Sequence, residues 1–211
     1  MSTPVYQLFI GKNSAAANQA WNALSKEEQK ALSEKEAASR VAVKAKTILA
    51  CDSAWADESN PWWGLLRFPD LAARIQHART LREIGWLDRV EAFTLLGTAD
   101  REPEEVTIPN PIYELWVIKT NPVAERAWAE LSKEATAAMW AKHDAVYQET
   151  GGKIVISCNS YWCNEAYPWF GISAYPSIEA HQQVAQTLAD IGWRRYIDCF
   201  TLLGIPMELR A

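Results

Sequence analysis

Two carboxylates and one arginine stand where this chain could carry out proton-transfer chemistry. Asp52 and Arg67 lie in the apolar segments TILACDSAW and WWGLLRF, and Glu114 lies in a third such segment, YELWVIK. A carboxylate withdrawn from water becomes a better general base, and a buried arginine can neutralise a developing anionic oxygen. The pattern therefore predicts Asp52 or Glu114 as a catalytic base and Arg67 as the catalytic cation that orients the substrate.

The alternation of side chains along strands predicts what surrounds these three residues. If Ser53 lies opposite Gly64 across a hairpin, Asp52 and Arg67 share one face of the sheet, and Cys51 lies on the other face against the helices. The first face then forms a pocket with aromatic walls and hydrogen-bonding groups. Its predicted ligand-binding residues are Phe9, Trp63, Trp116, Ser157, Asn159, Tyr161 and Phe170.

Motifs for other kinds of chemistry are missing from the sequence. It has no Gly-rich phosphate loop, no G-x-S-x-G elbow and no C-x-x-C pair. Cys51 or Cys158 would need a neighbouring histidine or cation to act as a nucleophile. His77, His143 and His181 show no i, i+4 pairing, so neither a metal site nor a cofactor is predicted. His77 also lies off the apolar stripe of its helix, which predicts a solvated side chain.

Composition narrows the class of protein. The formal net charge is −5 and there is no basic run, which argues against a nucleic-acid partner. No apolar stretch is long enough to cross a membrane, and the N-terminus lacks the order of a signal peptide. The four cysteines show no metal or disulfide spacing. A reduced protein of the cytoplasm is expected.

The chain repeats itself at a fixed offset. The segment FTLLG begins at Phe93 and again at Phe200, which are 107 positions apart. The same offset superposes Cys51 on Cys158 and PWWG on PWFG without a gap. Between the copies lies TADREPEEVTIPNP, a segment rich in proline and acid that predicts an exposed linker. Two domains are therefore predicted, residues 1–103 and 104–211.

Each copy predicts the order strand, helix, strand, strand, helix, strand. The strands are expected near residues 5–12, 46–55, 62–68 and 90–96, and at the same positions plus 107. Helices are expected from about 14 to 44 and from about 70 to 84, the second of them ending at Gly85. In the first strand, Leu8 is expected to face the helices. This βαββαβ order is the ferredoxin-like pattern.

A four-stranded sheet with both helices on one face needs a partner to bury its other face. With its duplicated βαββαβ order, the chain resembles the dimeric α/β-barrel superfamily, in a single-chain, tandem version. The resemblance implies an α+β fold in which two ferredoxin-like units pack sheet to sheet as a pseudo-two-fold α/β barrel. It implies a monomer with an internal pseudo-dimer, or a homodimer. No catalytic motif of the superfamily is carried over.

The predicted function is that of a small-molecule-binding protein or enzyme that uses the polar and aromatic face between the two sheets. Cofactor-independent oxygenase, isomerase or lyase chemistry would need little more than a dry pocket, a base and a polarising donor. The alternative is a non-catalytic module of stress-response or interaction type, in which the polar groups satisfy one another. A further alternative is haem binding, which would require His143 or His181 as the axial ligand.

Overall fold

The structure is a computed structural model that describes residues 3–100 and 102–207. These residues form eight strands and six α-helices. They divide into two compact units: unit 1 comprises residues 3–99 together with Met207, and unit 2 comprises Asp100–Pro206. Within each unit, every strand is antiparallel to the strands beside it.

Unit 1 has the element order of a ferredoxin-like fold, with its first long helical region split in two. Its elements are β1 (Val5–Gly11), α1 (Ala15–Asn22), α2 (Lys26–Ala42), β2 (Lys46–Asp52), β3 (Trp62–Phe68), α3 (Leu71–Glu83) and β4 (Ala92–Ala99). The strands are hydrogen-bonded in the order β2–β3–β1–β4.

Unit 2 repeats this arrangement. Its elements are β5 (Ile112–Lys119), α4 (Pro122–Ala129), α5 (Lys133–Thr150), β6 (Lys153–Asn159), β7 (Trp169–Tyr175), α6 (Ile178–Asp190), a short 3-10 helix (Trp193–Arg195) and β8 (Asp198–Pro206). The strand order β6–β7–β5–β8 matches that of unit 1. The predicted α+β fold of two tandem ferredoxin-like units is therefore confirmed.

Several element boundaries follow from local sequence chemistry. The side chain of Asn121 accepts hydrogen bonds from the backbone at the start of α4, as its position before Pro122 predicts. Gly85 follows the end of α3 with a φ of 72°, a conformation that favours glycine. In contrast, the prediction of one helix from 14 to 44 is wrong. Ser25 and Glu28 form a capping box that starts a separate helix, α2.

The register of the central hairpin differs from the predicted one. Gly64 pairs with Ala50, not with Ser53, and an irregularity between Thr47 and Leu49 shifts the pairing of β2. A shift by an odd number of residues reverses the face of every side chain on a strand. Cys51 therefore pairs with Trp63 and lies on the face away from the helices.

The first strand shows the same reversal. Phe9 packs against the buried cluster of Val43, Leu66 and Phe68 beneath the helices, so its assignment to the opposite face is wrong. Leu8 lies on the face away from the helices and is fully buried. Because Leu8 and Phe9 alternate along one strand, both errors follow from the expectation that the apolar Leu8 faces the helices.

His77 is another side chain that the sequence misplaces. It is 1% exposed, and its Nδ1 lies 2.9 Å from the Ser39 hydroxyl. The Phe68 ring packs against it at 5.5 Å between centroids. The prediction of a solvated His77 is therefore wrong, because α3 turns this position onto the sheet.

Within residues 3–100 and 102–207, no helix is long and apolar enough to cross a membrane. The same part of the chain holds no group of three or more metal-ligating side chains.

Candidate functional site

A cavity of about 330 Å³ lies in unit 2, between the helix-facing side of its sheet and the helices α5 and α6. This volume is at the lower end of the range for small-molecule sites. Most of the lining is apolar and aromatic, and the short 3-10 helix after α6 contributes to it. The main apolar lining residues are Trp116, Ile118, Trp140, Ile154, Val184, Leu188, Trp193 and Ile197.

The repeated glycine of the hairpin makes room for one cavity wall. Gly171 pairs with Trp116 across β5 and β7, and a Cβ atom at Gly171 would overlap the Trp116 indole. The equivalent Gly64 lies against Phe9 in unit 1 in the same way. A large aromatic ring therefore lies over a glycine in both units.

The polar part of the cavity lining is a connected hydrogen-bond network around one carboxylate. The Tyr175 hydroxyl donates to Oε2 of Glu114 at 2.7 Å, and Nε2 of His181 lies 3.3 Å from Oε1. The Tyr147 hydroxyl lies 2.9 Å from that of Tyr175 and 3.2 Å from that of Ser173. Glu114 is thus held in place by two partners inside a largely apolar cavity.

Burial and this carboxylate both act on the two tyrosines. Burial, followed by the negative charge of Glu114, raises the pKa of Tyr147 to about 12. The same two causes raise the pKa of Tyr175. Both phenols therefore stay protonated at neutral pH and remain available as hydrogen-bond donors.

His143, on α5, also lines the cavity, and its environment differs from that of His181. Its side chain is 8% exposed, and its Nδ1 lies 2.9 Å from Oδ1 of Asp144. The rings of Trp193 and Tyr147 lie 5.1 and 4.8 Å from the imidazole centroid, which restricts its orientation. Among the described residues, its Nε2 atom has no hydrogen-bond partner.

The thiols of Cys51, Cys158 and Cys199 show no sign of activation. Cys199 lines the cavity. The pKa of its thiol is raised, mainly by burial. Burial likewise raises the pKa of Cys51 and of Cys158. A nucleophilic thiolate is therefore disfavoured at all three positions.

The equivalent place in unit 1 is occupied by an ion pair. Glu36 stands where unit 2 has His143, and Arg40 stands where it has Tyr147. The two side chains are joined at 2.9 Å, and Nε2 of His77 lies 3.9 Å from Glu36. The two repeats have thus diverged at the positions that line the cavity.

The cavity brings together three of the ten predicted site residues, namely Glu114, Trp116 and Ser157. Phe9 also faces helices, but in unit 1. Trp63 and Phe170 are fully buried on the faces away from the helices. Arg67 shares their face by its register, opposite Lys46.

The remaining predicted residues lie at the loop ends of the hairpins, and they are Asp52, Asn159 and Tyr161. Asp52 pairs with Trp62, five residues from Arg67 along β3, so about 16 Å separates their positions. The side chains of Asp52 and Asn159 accept hydrogen bonds from the backbone of the following loops. Tyr161, in one of these loops, is 57% exposed. Asp52 and Arg67 therefore do not form the predicted pair.

No protein-family model matches the chain, and no curated protein matches it. Solved structures match it in fold. A chlorite dismutase from Candidatus Nitrospira defluvii superposes with a TM-score of 0.70 at 14% identity, covering 96% of this chain and 91% of that one. A heme-binding protein from Thermus thermophilus gives 0.70 at 8% identity, covering 99% and 92%. The predicted likeness to the dimeric α/β-barrel superfamily is thus confirmed as a similarity of fold.

The comparisons and the cavity together correct the predicted function. The cavity lies between the sheet and the helices of unit 2, not on a face between two sheets. The similar solved structures are named as chlorite dismutases and as a heme-binding protein. The prediction of cofactor-independent oxygenase, isomerase or lyase chemistry is therefore wrong.

Proposed function

We propose that the cavity of unit 2 binds haem, with His143 as the axial ligand. The observation that carries this proposal is the position of the His143 imidazole and the hydrogen bonding of its two nitrogens. It is buried at the cavity wall, its Nδ1 is engaged by the Asp144 carboxylate, and its Nε2 is without a partner among the described residues. A histidine that ligates a metal commonly has its other ring nitrogen bonded to a carboxylate in this way.

His143 is favoured over His181 by the atoms that each ring leaves free. In His181 the outer nitrogen, Nε2, faces Glu114, and the nitrogen left without a hydrogen bond is Nδ1, which is buried from solvent. In His143 the outer nitrogen is the free one. Because Nε2 lies farther from the backbone, it is the atom of the ring that can reach into a cavity.

The remaining lining suits a flat apolar macrocycle. Indole rings of Trp116, Trp140 and Trp193 and aliphatic side chains from α6 provide an apolar surface. Tyr147, Tyr175 and Glu114 supply the hydrogen-bonding groups at one side. Haem, when bound, would supply iron redox chemistry, and its reactivity would depend on the polarity of this lining.

The solved structures support the proposal through the likeness of fold. One of those that match the fold is named as a heme-binding protein. At 8% and 14% identity this likeness concerns the fold alone, so the donor set around His143 is the stronger support.

Titration with hemin tests the proposal. Wild-type protein should produce a sharp Soret band shifted from that of free hemin, saturating at one equivalent per chain. His143→Ala should lose the shifted band or bind roughly tenfold more weakly. The control is His181→Ala, which removes the other cavity histidine and should retain the wild-type band. A wild-type spectrum identical to that of free hemin would contradict the proposal.

A further inference from the structure

Arg194 is a positively charged residue of the cavity lining. It belongs to the short 3-10 helix after α6, lines the cavity and is exposed at its edge. Burial raises the pKa of the Cys199 thiol, and the positive charge of Arg194 lowers it. The field of Arg194 therefore reaches into the cavity lining.

The carboxylate and the histidines of the lining have partners. Glu114 is bonded by Tyr175 and faces His181, and His143 is engaged by Asp144. Arg194 has no hydrogen bond, ion pair or ring contact with the described residues. It is thus the permanent cation of the lining that the described part of the chain leaves unpaired.

The repeat shows that the fold does not require this cation. The residues of unit 1 that are 107 positions earlier than Arg194 and Arg195 are Leu87 and Asp88. Both units solve the same packing problem, yet the basic pair occurs in the unit that has the cavity. Arg195 is engaged differently, because its guanidinium lies 5.7 Å over the ring of Tyr196.

From these observations we infer that the cavity selects aromatic ligands that carry an anionic group, and that Arg194 binds this group at the cavity edge. The inference rests on the proposed function and specifies the class of ligand. The apolar body of the ligand would lie against the indole rings, and its carboxylate or sulfonate would reach the guanidinium. An arginine fork matches the geometry of such planar or three-oxygen anions.

Two fluorescent probes with the same aromatic body test this inference without iron. 1-Anilinonaphthalene-8-sulfonate carries an anionic group, and N-phenyl-1-naphthylamine does not. Arg194→Gln should weaken binding of the anionic probe roughly three- to fivefold and leave the neutral probe unchanged. The matched control, Arg195→Gln, removes the same charge from the next residue and should change neither affinity. High salt should reduce the difference between wild type and Arg194→Gln.

A cavity-filling variant locates the probe. Ala185 lines the cavity, so Ala185→Trp should displace both probes. Equal losses for the two probes, equal losses for the two arginine variants, or probe binding that survives Ala185→Trp would each overturn the inference. Failure of either probe to bind would overturn it as well. Failure of the proposed function would show separately, as the absence of a His143-dependent hemin spectrum.

Discussion

His77 is the buried residue with the clearest consequence for the stability of unit 1. Burial, with Arg74 and Arg40 nearby, lowers its pKa from 6.5 to about 4. The unfolded chain therefore binds a proton that the folded chain excludes, so stability is fully present above pH 6.5 and falls between pH 6.5 and 4. The loss is on the order of 3 kcal/mol for complete titration.

The substitution His77→Phe should reduce this loss of stability at acid pH. The measurement is the free energy of unfolding in urea from pH 7 to pH 4. The aromatic replacement keeps the packing on Phe68, although it leaves the Ser39 hydroxyl without its partner. It is therefore expected to lower stability at pH 7 while reducing the pH slope. An unchanged slope in the variant would show that another group causes the acid sensitivity.

Glu114 should control the ionisation of Tyr147. Its negative charge adds to burial in raising the pKa of this phenol to about 12. Glu114→Gln removes the charge, so the pKa of Tyr147 should fall. Ultraviolet titration at alkaline pH measures this, with Glu114→Gln/Tyr147→Phe as the control that identifies the titrating ring. A Tyr147 titration that does not move would contradict the described network.

For individual residues, the sequence predicted which kinds of side chain form the site better than it predicted where they lie. Glu114, Trp116 and Ser157 belong to the cavity, and His143 was already a candidate axial ligand. Tyr175, Trp193 and Arg194 were missed. Divergence between the repeats could have found Tyr175 and Arg194, since Phe68 and Leu87 occupy their places in unit 1, whereas Trp193 is matched by Trp86. Two of these three positions differ in chemistry between the copies.

The hairpins set the shape of the cavity at the scale of secondary structure. A methyl group at Gly171 or at Gly64 would overlap an aromatic ring and a backbone carbonyl of the neighbouring strand. Gly171→Ala and Gly64→Ala should each destabilise the protein by about 1–3 kcal/mol. Only Gly171→Ala should also weaken hemin binding, because it displaces Trp116, a cavity wall.

Thermal unfolding and hemin titration of the two glycine variants provide the measurement. Gly64→Ala is the matched control, because it introduces the same crowding in unit 1, where an ion pair takes the place of the cavity. Equal effects of both variants on hemin affinity would show that general loss of stability, and not displacement of Trp116, weakens binding.

Periodicity and capping residues predicted the elements apart from the break between α1 and α2, but not the register between strands. The strand near 62–68 is found at Trp62–Phe68, and α3 ends before Gly85 as expected. The faces of the β2 side chains were wrong because Ala50, and not Ser53, pairs with Gly64. Alternation along one strand carries no information about such a shift, so the predicted pocket combined residues from both faces.

For the whole molecule, the repeat predicts one haem per chain. The place of His143 is taken in unit 1 by Glu36, which is paired with Arg40. A salt-bridged carboxylate at this place offers no imidazole to iron, and the neighbouring His77 is 1% exposed with its Nδ1 at the Ser39 hydroxyl. Hemin titration should therefore saturate at one equivalent. Glu36→Gln should leave this stoichiometry unchanged, and a wild-type value of two would contradict the account.

The most direct test of the account replaces the side chain of His143 with free imidazole. His143→Gly removes the imidazole and leaves space for a free one. We expect this variant to lose the wild-type hemin spectrum and to regain it when imidazole is added, whereas His181→Gly should keep the wild-type spectrum without imidazole. If His143→Gly binds hemin with an unchanged spectrum in the absence of imidazole, His143 is not the axial ligand and the central claim is wrong.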